Sequence, residues 1–234
     1  MTISARIQSI SRLRTFSDGD GITTLIGFEG CPLRCAYCFN PSSWDGSGIS
    51  RSYTPDGLYR EIKRDNLYFL ATGGGLTFAG GEPLIHHDFI RNFIEKYGST
   101  GWKFSIETSL AVKRKCLENV YQLMDFFIVD AKDMNPERYE IYTGGNFNRF
   151  IENLEFLKEN VDTNRIRVRV PRIAILHKGR EAQKSQSILK DMGFDDIEIF
   201  DYVNPEMMVR MSDEAARNMN KFIESIDKRE GDKK

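Results

Sequence analysis

Thr23-Thr24-Leu25-Ile26-Gly27-Phe28, followed at once by Glu29-Gly30-Cys31-Pro32-Leu33-Arg34-Cys35-Ala36-Tyr37-Cys38, joins a short apolar run to a loop carrying three thiols. An apolar run of six residues bounded by glycine and proline reads as a buried strand. Five further runs, at 76–79, 102–107, 126–130, 165–170 and 197–200, share its character. Stretches of helical periodicity lie between and after them, at 55–66, 87–97, 113–124, 136–142, 150–160, 181–192 and 213–226. Two have recognisable starts: Thr54 precedes Pro55 as an N-cap, and Ser212 caps the last helix. Strand and helix alternating in this way describe β-α units around a parallel sheet. Six units are too few to close an eight-stranded barrel. The fold expected is therefore α/β, a partial, open (β/α)6 barrel formed by one domain over 1–227, with the charged segment 228–234 as a frayed, solvated tail.

The segments that carry chemistry fall at one recurring place. The cysteine loop follows the first strand, Gly80-Gly81-Glu82-Pro83 follows the second, and Glu107 and Asp130 end the third and fourth. Parallel β-α folds build their active sites there, at the carboxyl ends of the strands.

Three of the four cysteines lie within eight residues, which argues for a metal centre rather than a pair of disulfides. The spacing C-x3-C-x2-C lets one loop turn three thiolates toward one cubane. A fully ligated [4Fe–4S] cluster uses four cysteines, so three leave one iron open to a non-protein ligand. The competing reading is zinc held by three cysteines and one of His86, His87 or His177, none of which stands at a familiar ligand spacing. Cys116 stands apart in a helical stretch and reads as a small buried hydrophobe.

Cys31, Cys35, Tyr37 and Cys38 match the C-x3-C-x-aromatic-C signature of the radical S-adenosylmethionine (SAM) superfamily, and Leu76 to Leu84 resembles its "GGE" segment. The resemblance implies a radical SAM barrel with a [4Fe–4S] cluster on the three cysteines. SAM would chelate the open iron, with Gly80, Gly81 and Glu82 receiving its amino group, and reductive cleavage would yield methionine and a 5′-deoxyadenosyl radical. Taken alone, Gly80-Gly81 is only a strand-terminating turn.

The order of motifs is similar to that of glycyl-radical-enzyme activating enzymes of the pyruvate formate-lyase activating type. Asp18-Gly19-Asp20-Gly21-Ile22 resembles their "DGPG" element, with Asp20 where proline is usual, and Phe39-Asn40-Pro41 and Trp44-Asp45 continue the match. Glu107-Thr108 resembles an Asp-Thr pair, and Asp130-Ala131-Lys132 an Asp-x-Lys strand end. The likeness implies that Tyr37, Phe39, Asp130, Ala131, Lys132 and Arg169 lie against SAM, and that Glu107 and Asp130 hold a monovalent cation beside its carboxylate. Each has a bland reading too: Asp130 as a helix N-cap, Lys132 as a solvated charge, Arg169 as a surface ion pair. Departures gather on the substrate side. No Pro-Gly turn follows the fifth strand in Arg172 to His177, no histidine occurs near Asp201 to Asn204, and Glu107 is one methylene longer than aspartate.

The 33 lysines and arginines nearly cancel 34 aspartates and glutamates, giving a net charge of −1 and no long-range attraction for nucleic acid or an anionic membrane. No apolar stretch reaches the roughly 20 residues of a membrane span, and residues 1–11 lack a signal-peptide core, so the expected address is the cytoplasm. Three functions from different classes follow. The first, by resemblance, is an activating enzyme that installs a glycyl radical on a glycyl radical enzyme, a monomer served by a flavodoxin- or ferredoxin-type electron donor. The second is a radical SAM enzyme for a small molecule or peptide, similar to deazaguanine-forming or peptide-modifying members. The third is a non-catalytic zinc-binding interaction module. Phe69, Phe78, Phe93, Phe104 and Phe127 are expected in the core, and Glu152, Glu155, Lys158 and Glu159 on a solvated helix face.

Overall fold

Six parallel strands, β2 (Thr23–Phe28), β4 (Gly75–Gly80), β5 (Lys103–Thr108), β6 (Phe126–Asp130), β7 (Ile166–Arg172) and β8 (Ile197–Asp201), form the body of one open sheet. The computed structural model describes residues 3–15, 17–44, 46–173 and 180–201. All six expected strands are present, and the sheet is an unclosed, partial barrel as the alternation of strand and helix required. The expected helix at 213–226, its cap Ser212, the tail 228–234 and His177 lie outside the described residues.

Two strands were not anticipated. β1 (Ala5–Arg14) pairs antiparallel with β2, and β3 (Arg51–Tyr53) pairs antiparallel with β1, so the order is β3-β1-β2-β4-β5-β6-β7-β8. Ala5 and Ile7 bury one side of β1 while its remaining residues are exposed or half-buried. A strand with so little apolar content takes its shape from its neighbour's ladder rather than from its own composition.

Helices α1 (Pro55–Ile62), α2 (Asn66–Thr72), α3 (His87–Tyr97), α4 (Arg114–Glu118), α5 (Pro136–Thr143), α6 (Phe147–Asn160) and α7 (Glu181–Asp191) occupy the connections. Thr54 caps α1 by accepting from the Gly57 amide at 3.1 Å. The expected helix over 55–66 is broken by a 3-10 turn, Lys63–Asp65, whose Asp65 is fully buried and accepts from Arg12 at 2.9 Å and from Thr24 Oγ1 at 3.0 Å. That buried acid, drawn to partners under the sheet, ends the regular helix. The expected helix over 113–124 is likewise short. It stops at Asn119, whose side chain turns aside to His87 and Asp88.

The five phenylalanines assigned to the core are all buried, with Phe78 stacked on Phe104 at 6.3 Å between sheet and helices. Side chains alternate along each strand, so the residues between these phenylalanines face the concave side. Ala79, Glu107, Asp130 and Arg169 line a cavity there. Because Phe28 pairs with Gly80 and Thr108 with Val129, the strand ends are level and their loops meet above that cavity.

Candidate active site

The cysteine loop is fixed by backbone hydrogen bonds from three directions. Gly30 N–H donates to Ser43 O at 2.6 Å, Glu82 N–H donates to Gly30 O at 2.8 Å, and the amides of Arg34 and Ala36 donate to Thr143 O and Tyr142 O at 2.7 and 2.8 Å. Arg34 then wraps its own loop, donating to the carbonyls of Cys31 and Leu33 at 2.7 and 2.8 Å, and lies over the Trp44 ring at 5.3 Å. None of the three is in a disulfide; Cys35 is buried and Cys31 and Cys38 partly so. Burial pushes the Cys31 thiol up to about 12, with the Glu82 charge adding to it, and the Cys35 thiol up to about 11, with Lys132 opposing. Such thiols stay neutral unless a positive centre joins them.

Gly80 and Gly81 are more than a turn. Gly80 has φ +111°, and a Cβ there would stand 2.4 Å from Phe28 N; a Cβ on Gly81 would stand 2.1 Å from Gly30 O. Only glycine lets the end of β4 close on the end of β2 and the root of the cysteine loop.

Glu82 departs from its expected role. It is fully buried, and its carboxylate accepts from Leu84 N at 3.1 Å, Thr108 Oγ1 at 2.6 Å, and Ser109 N and Oγ at 2.9 and 2.5 Å. Burial raises its pKa while those hydrogen bonds oppose the rise. The side chain therefore clamps β4 to β5 behind the cavity wall, and what the cavity presents is Gly80-Gly81. Thr108 and Ser109, which also line the cavity, went unread in the sequence as partners of this acid. Their position directly after Glu107 at a strand end was the available signal.

Opposite the cysteines, Lys132 Nζ lies 2.8 Å from Asp130 Oδ2, and Arg169 Nη1 lies 3.6 Å from Glu107 Oε1. Arg169 also reaches Glu198 at 3.1 Å and donates to Ser17 O, so it ties the Asp18-Gly19 loop to the cavity rim. Asp130 is no helix cap, and Lys132 is only 17% exposed. Burial and the neighbouring Asp130 push the Glu107 carboxyl up to about 7, against the pull of Arg169. Burial works against the Lys132 charge, yet Asp130 holds its pKa well above the usual lysine value.

Cys31, Cys35, Cys38, Tyr37, Phe39, Gly80, Gly81, Glu107, Asp130, Lys132 and Arg169 thus share one cavity of about 350 Å³. Phe39 stands at its rim, 74% exposed, and Tyr37 is buried edge-on against Tyr142. Ala131 and Glu82 stand outside the lining, Ala131 being buried and donating its amide to Arg169 O at 2.9 Å. Phe200 and Pro171, also unread in the sequence as site residues, close the far wall.

Among the described residues no three Cys, His, Asp or Glu side chains, the cysteines included, converge as ligands of one ion; three thiols lining one cavity are the donor chemistry of an iron–sulfur cluster. His86, one of the histidines a zinc site would need, bonds through Nε2 to Glu29 O at 2.6 Å.

A family model described as "Radical SAM superfamily" matches residues 25–171. The pyruvate formate-lyase-activating enzyme of Clostridium pasteurianum is 32% identical over 142 residues, 61% of this chain and 58% of that relative. The pyruvate formate-lyase 1-activating enzyme of Escherichia coli strain K12 is 30% identical over 159 residues, 67% of this chain and 64% of that relative. The chain thus matches about three fifths of the length of these curated relatives. Among solved structures, anSMEcpe with bound AdoMet superposes with a TM-score of 0.56 at 19% identity, covering 76% of this chain and 50% of that one. Streptococcus suis SuiB bound to S-adenosylmethionine superposes at 0.56 with 13% identity, covering 88% of this chain and 49% of that one. Those two likenesses speak for the fold alone.

Proposed function

The chain belongs to the radical SAM superfamily, and from that premise we propose that it binds a [4Fe–4S] cluster on Cys31, Cys35 and Cys38, cleaves SAM reductively, and installs a glycyl radical on a protein partner. One observation carries the reading: the three thiols, the bare Gly80-Gly81 strand end and the Asp130–Lys132 pair face the same 350 Å³ cavity. When bound, cluster and SAM together supply reductive cleavage of a sulfonium carbon–sulfur bond and a carbon radical that abstracts hydrogen.

The protein's own residues bind, orient and exclude water. Arg34 and the backbone of Tyr142 and Thr143 hold the cysteine loop in shape before any metal arrives. Gly80 and Gly81 leave room at the strand end for the amino group of SAM, and Glu82 keeps that strand end in register from behind. Lys132 and Arg169 face the carboxylate end. Between them, Glu107 and Asp130 set two acids side by side, with burial first and the Asp130 charge second raising the Glu107 pKa, and such a pair makes a well for a monovalent cation.

The activating role draws support from the named relatives in Clostridium pasteurianum and Escherichia coli. A large substrate would present its reacting atom at the rim of the cavity, by Phe39 and Phe200. Flavodoxin or ferredoxin would supply the electron. The test mixes reconstituted protein, SAM, reductant and candidate glycyl radical enzymes without air and records electron paramagnetic resonance. The expected result is a glycyl doublet with one partner. SAM cleavage stimulated by a metabolite or peptide, with no doublet from any partner, would establish the small-substrate reading instead.

A further inference from the structure

β1 carries one residue too many for its neighbour. Ser11 pairs with Leu25 and Arg14 with Thr23, so Arg12 and Leu13 stand together opposite Thr24, and Leu13 takes φ +57°, a left-handed conformation that is costly outside glycine. A bulge of this kind re-aims the side chains that follow it. In a regular strand Arg12 and Arg14 would share a face. Here they part. Arg12 turns to the helix side of the sheet, where it meets the buried Asp65 together with Thr24 Oγ1. Arg14 turns to the concave side, where its Nε and Nη2 donate to the Asp18 carboxylate and Nη2 also donates to Ser17 Oγ at 2.9 Å.

The segment that Arg14 grips lies beneath the cavity. Thr77, two residues before the cavity-lining Ala79 and so on the same face of β4, donates Oγ1 to Asp18 O at 2.6 Å. A Cβ on Gly19 would stand 2.9 Å from Ser105 Oγ, two residues before Glu107. Asp18 is only 2% exposed. The carbonyl next to it, Ser17 O, accepts from Nη2 of Arg169, whose Nη1 lies 3.6 Å from Glu107 Oε1 in the cavity wall. Two guanidinium groups thus meet at Ser17-Asp18. Arg14 takes the carboxylate, and Arg169 is left with one carbonyl, Glu198 and the cavity.

We propose that Arg14 is a positioning residue for SAM: by occupying the Asp18 carboxylate it keeps Arg169 turned into the cavity, and the bulge at Arg12-Leu13 is the device that aims it there. The inference rests on the SAM reading above. A buried carboxylate stripped of its cation is costly, and on loss of Arg14 the guanidinium placed to relieve Asp18 is that of Arg169, already bonded to the adjoining residue. Turning to Asp18 takes Arg169 away from the SAM carboxylate. Arg14 itself is not among the residues that line the cavity, so its effect passes through Arg169.

The test measures equilibrium binding of SAM, without reductant, to protein reconstituted without air to equal iron and sulfide content. It compares wild type, Arg14→Gln, Arg14→Lys and the double variant Arg14→Gln/Asp18→Asn. Arg14→Gln should bind SAM about tenfold more weakly, the lower end of what loss of an outer-shell partner costs. Arg14→Lys keeps a cation on Asp18 and should bind nearly as wild type does. The double variant should recover, since no buried charge remains to draw Arg169 aside. A merely structural role for the pair would leave the double variant as weak as the single one, and that result would overturn the inference. Wild-type affinity in Arg14→Gln, or equal weakness in Arg14→Lys, would overturn it too. Should Arg14→Gln prove too unstable to reconstitute, the other two variants still decide, because weak binding in either contradicts the account. Wild-type protein that carries a full cluster and binds no SAM would overturn the SAM reading itself, a result distinct from all of these.

Discussion

The two flanks of the sheet are held by different physics. At the β2–β4 seam, glycine backbones close to contact distance, the buried Glu82 carboxylate beside it accepts four hydrogen bonds, and the cysteine loop is bonded to three neighbours. At the β7–β8 edge the parallel ladder is flanked by three arginine–acid pairs: Arg167–Asp196 at 3.0 Å, Arg169–Glu198 at 3.1 Å and Arg172–Asp201 at 2.6 Å. Packed, desolvated contacts tolerate almost no change in volume, while exposed ion pairs contribute little and are screened by salt. The contrast suits the proposed division of labour. One side must hold a cluster and SAM in fixed geometry, and the other must yield to a substrate.

Breaking the seam should have the largest effect. Cys35→Ala removes the buried thiol at the centre of the loop, and anaerobic reconstitution should leave it without bound iron and without SAM cleavage, while circular dichroism shows the sheet intact. Gly81→Ala tests the seam without touching a ligand. Its Cβ would meet Gly30 O at 2.1 Å, so overpacking should lower stability by about 1–3 kcal/mol and displace the root of the cysteine loop, read as lower iron uptake at equal protein. Normal iron uptake and an unshifted denaturation curve would show that the seam gives way more easily than its contacts imply.

Glu107 sharpens the comparison, since it sits between the flanks. Its carboxyl is raised from 4.5 to about 7. Below 4.5 it is protonated in both folded and unfolded chains and contributes no difference. Between 4.5 and 7 the folded chain retains a proton that the unfolded chain releases, and above 7 the charge is carried at full cost. Stability of the cluster-free protein should therefore fall as pH rises across that window, by at most about 3 kcal/mol, less because a quarter of the side chain is exposed. Glu107→Gln should flatten the slope in denaturant titrations between pH 4.5 and 8. An unchanged slope would mean the acid is not held against its charge.

The smallest effect is expected at the edge. Arg172→Ala breaks a two-point pair with Asp201 that lies in solvent, and the unfolding midpoint should stay where it is in both low and high salt. A clear drop would show that the edge is braced more firmly than its ion pairs suggest.

The same contrast governs what the sequence disclosed. β2, β4 and β6 were legible because burial on both faces leaves nearly continuous apolar runs, and β7 because apolar residues alternate with arginines; the site was legible where chemistry demands a residue type at a strand end, as at Cys31, Gly81 and Asp130. β1 and β3 were not, because their partners shape them more than their composition does. Glu82 was placed on the cavity by its motif, but the two hydroxyls that turn it away come from the last residue of β5 and the residue after it, a pairing no local pattern records.

The most direct test of the central claim is the resonance of the reduced, reconstituted cluster recorded with and without SAM. If three thiols leave one iron open inside this cavity, adding SAM should change the spectrum, and the change should be weaker in a Lys132→Ala protein with the same iron content. A full complement of iron and sulfide, a spectrum indifferent to SAM and an intact sulfonium after reduction would contradict it.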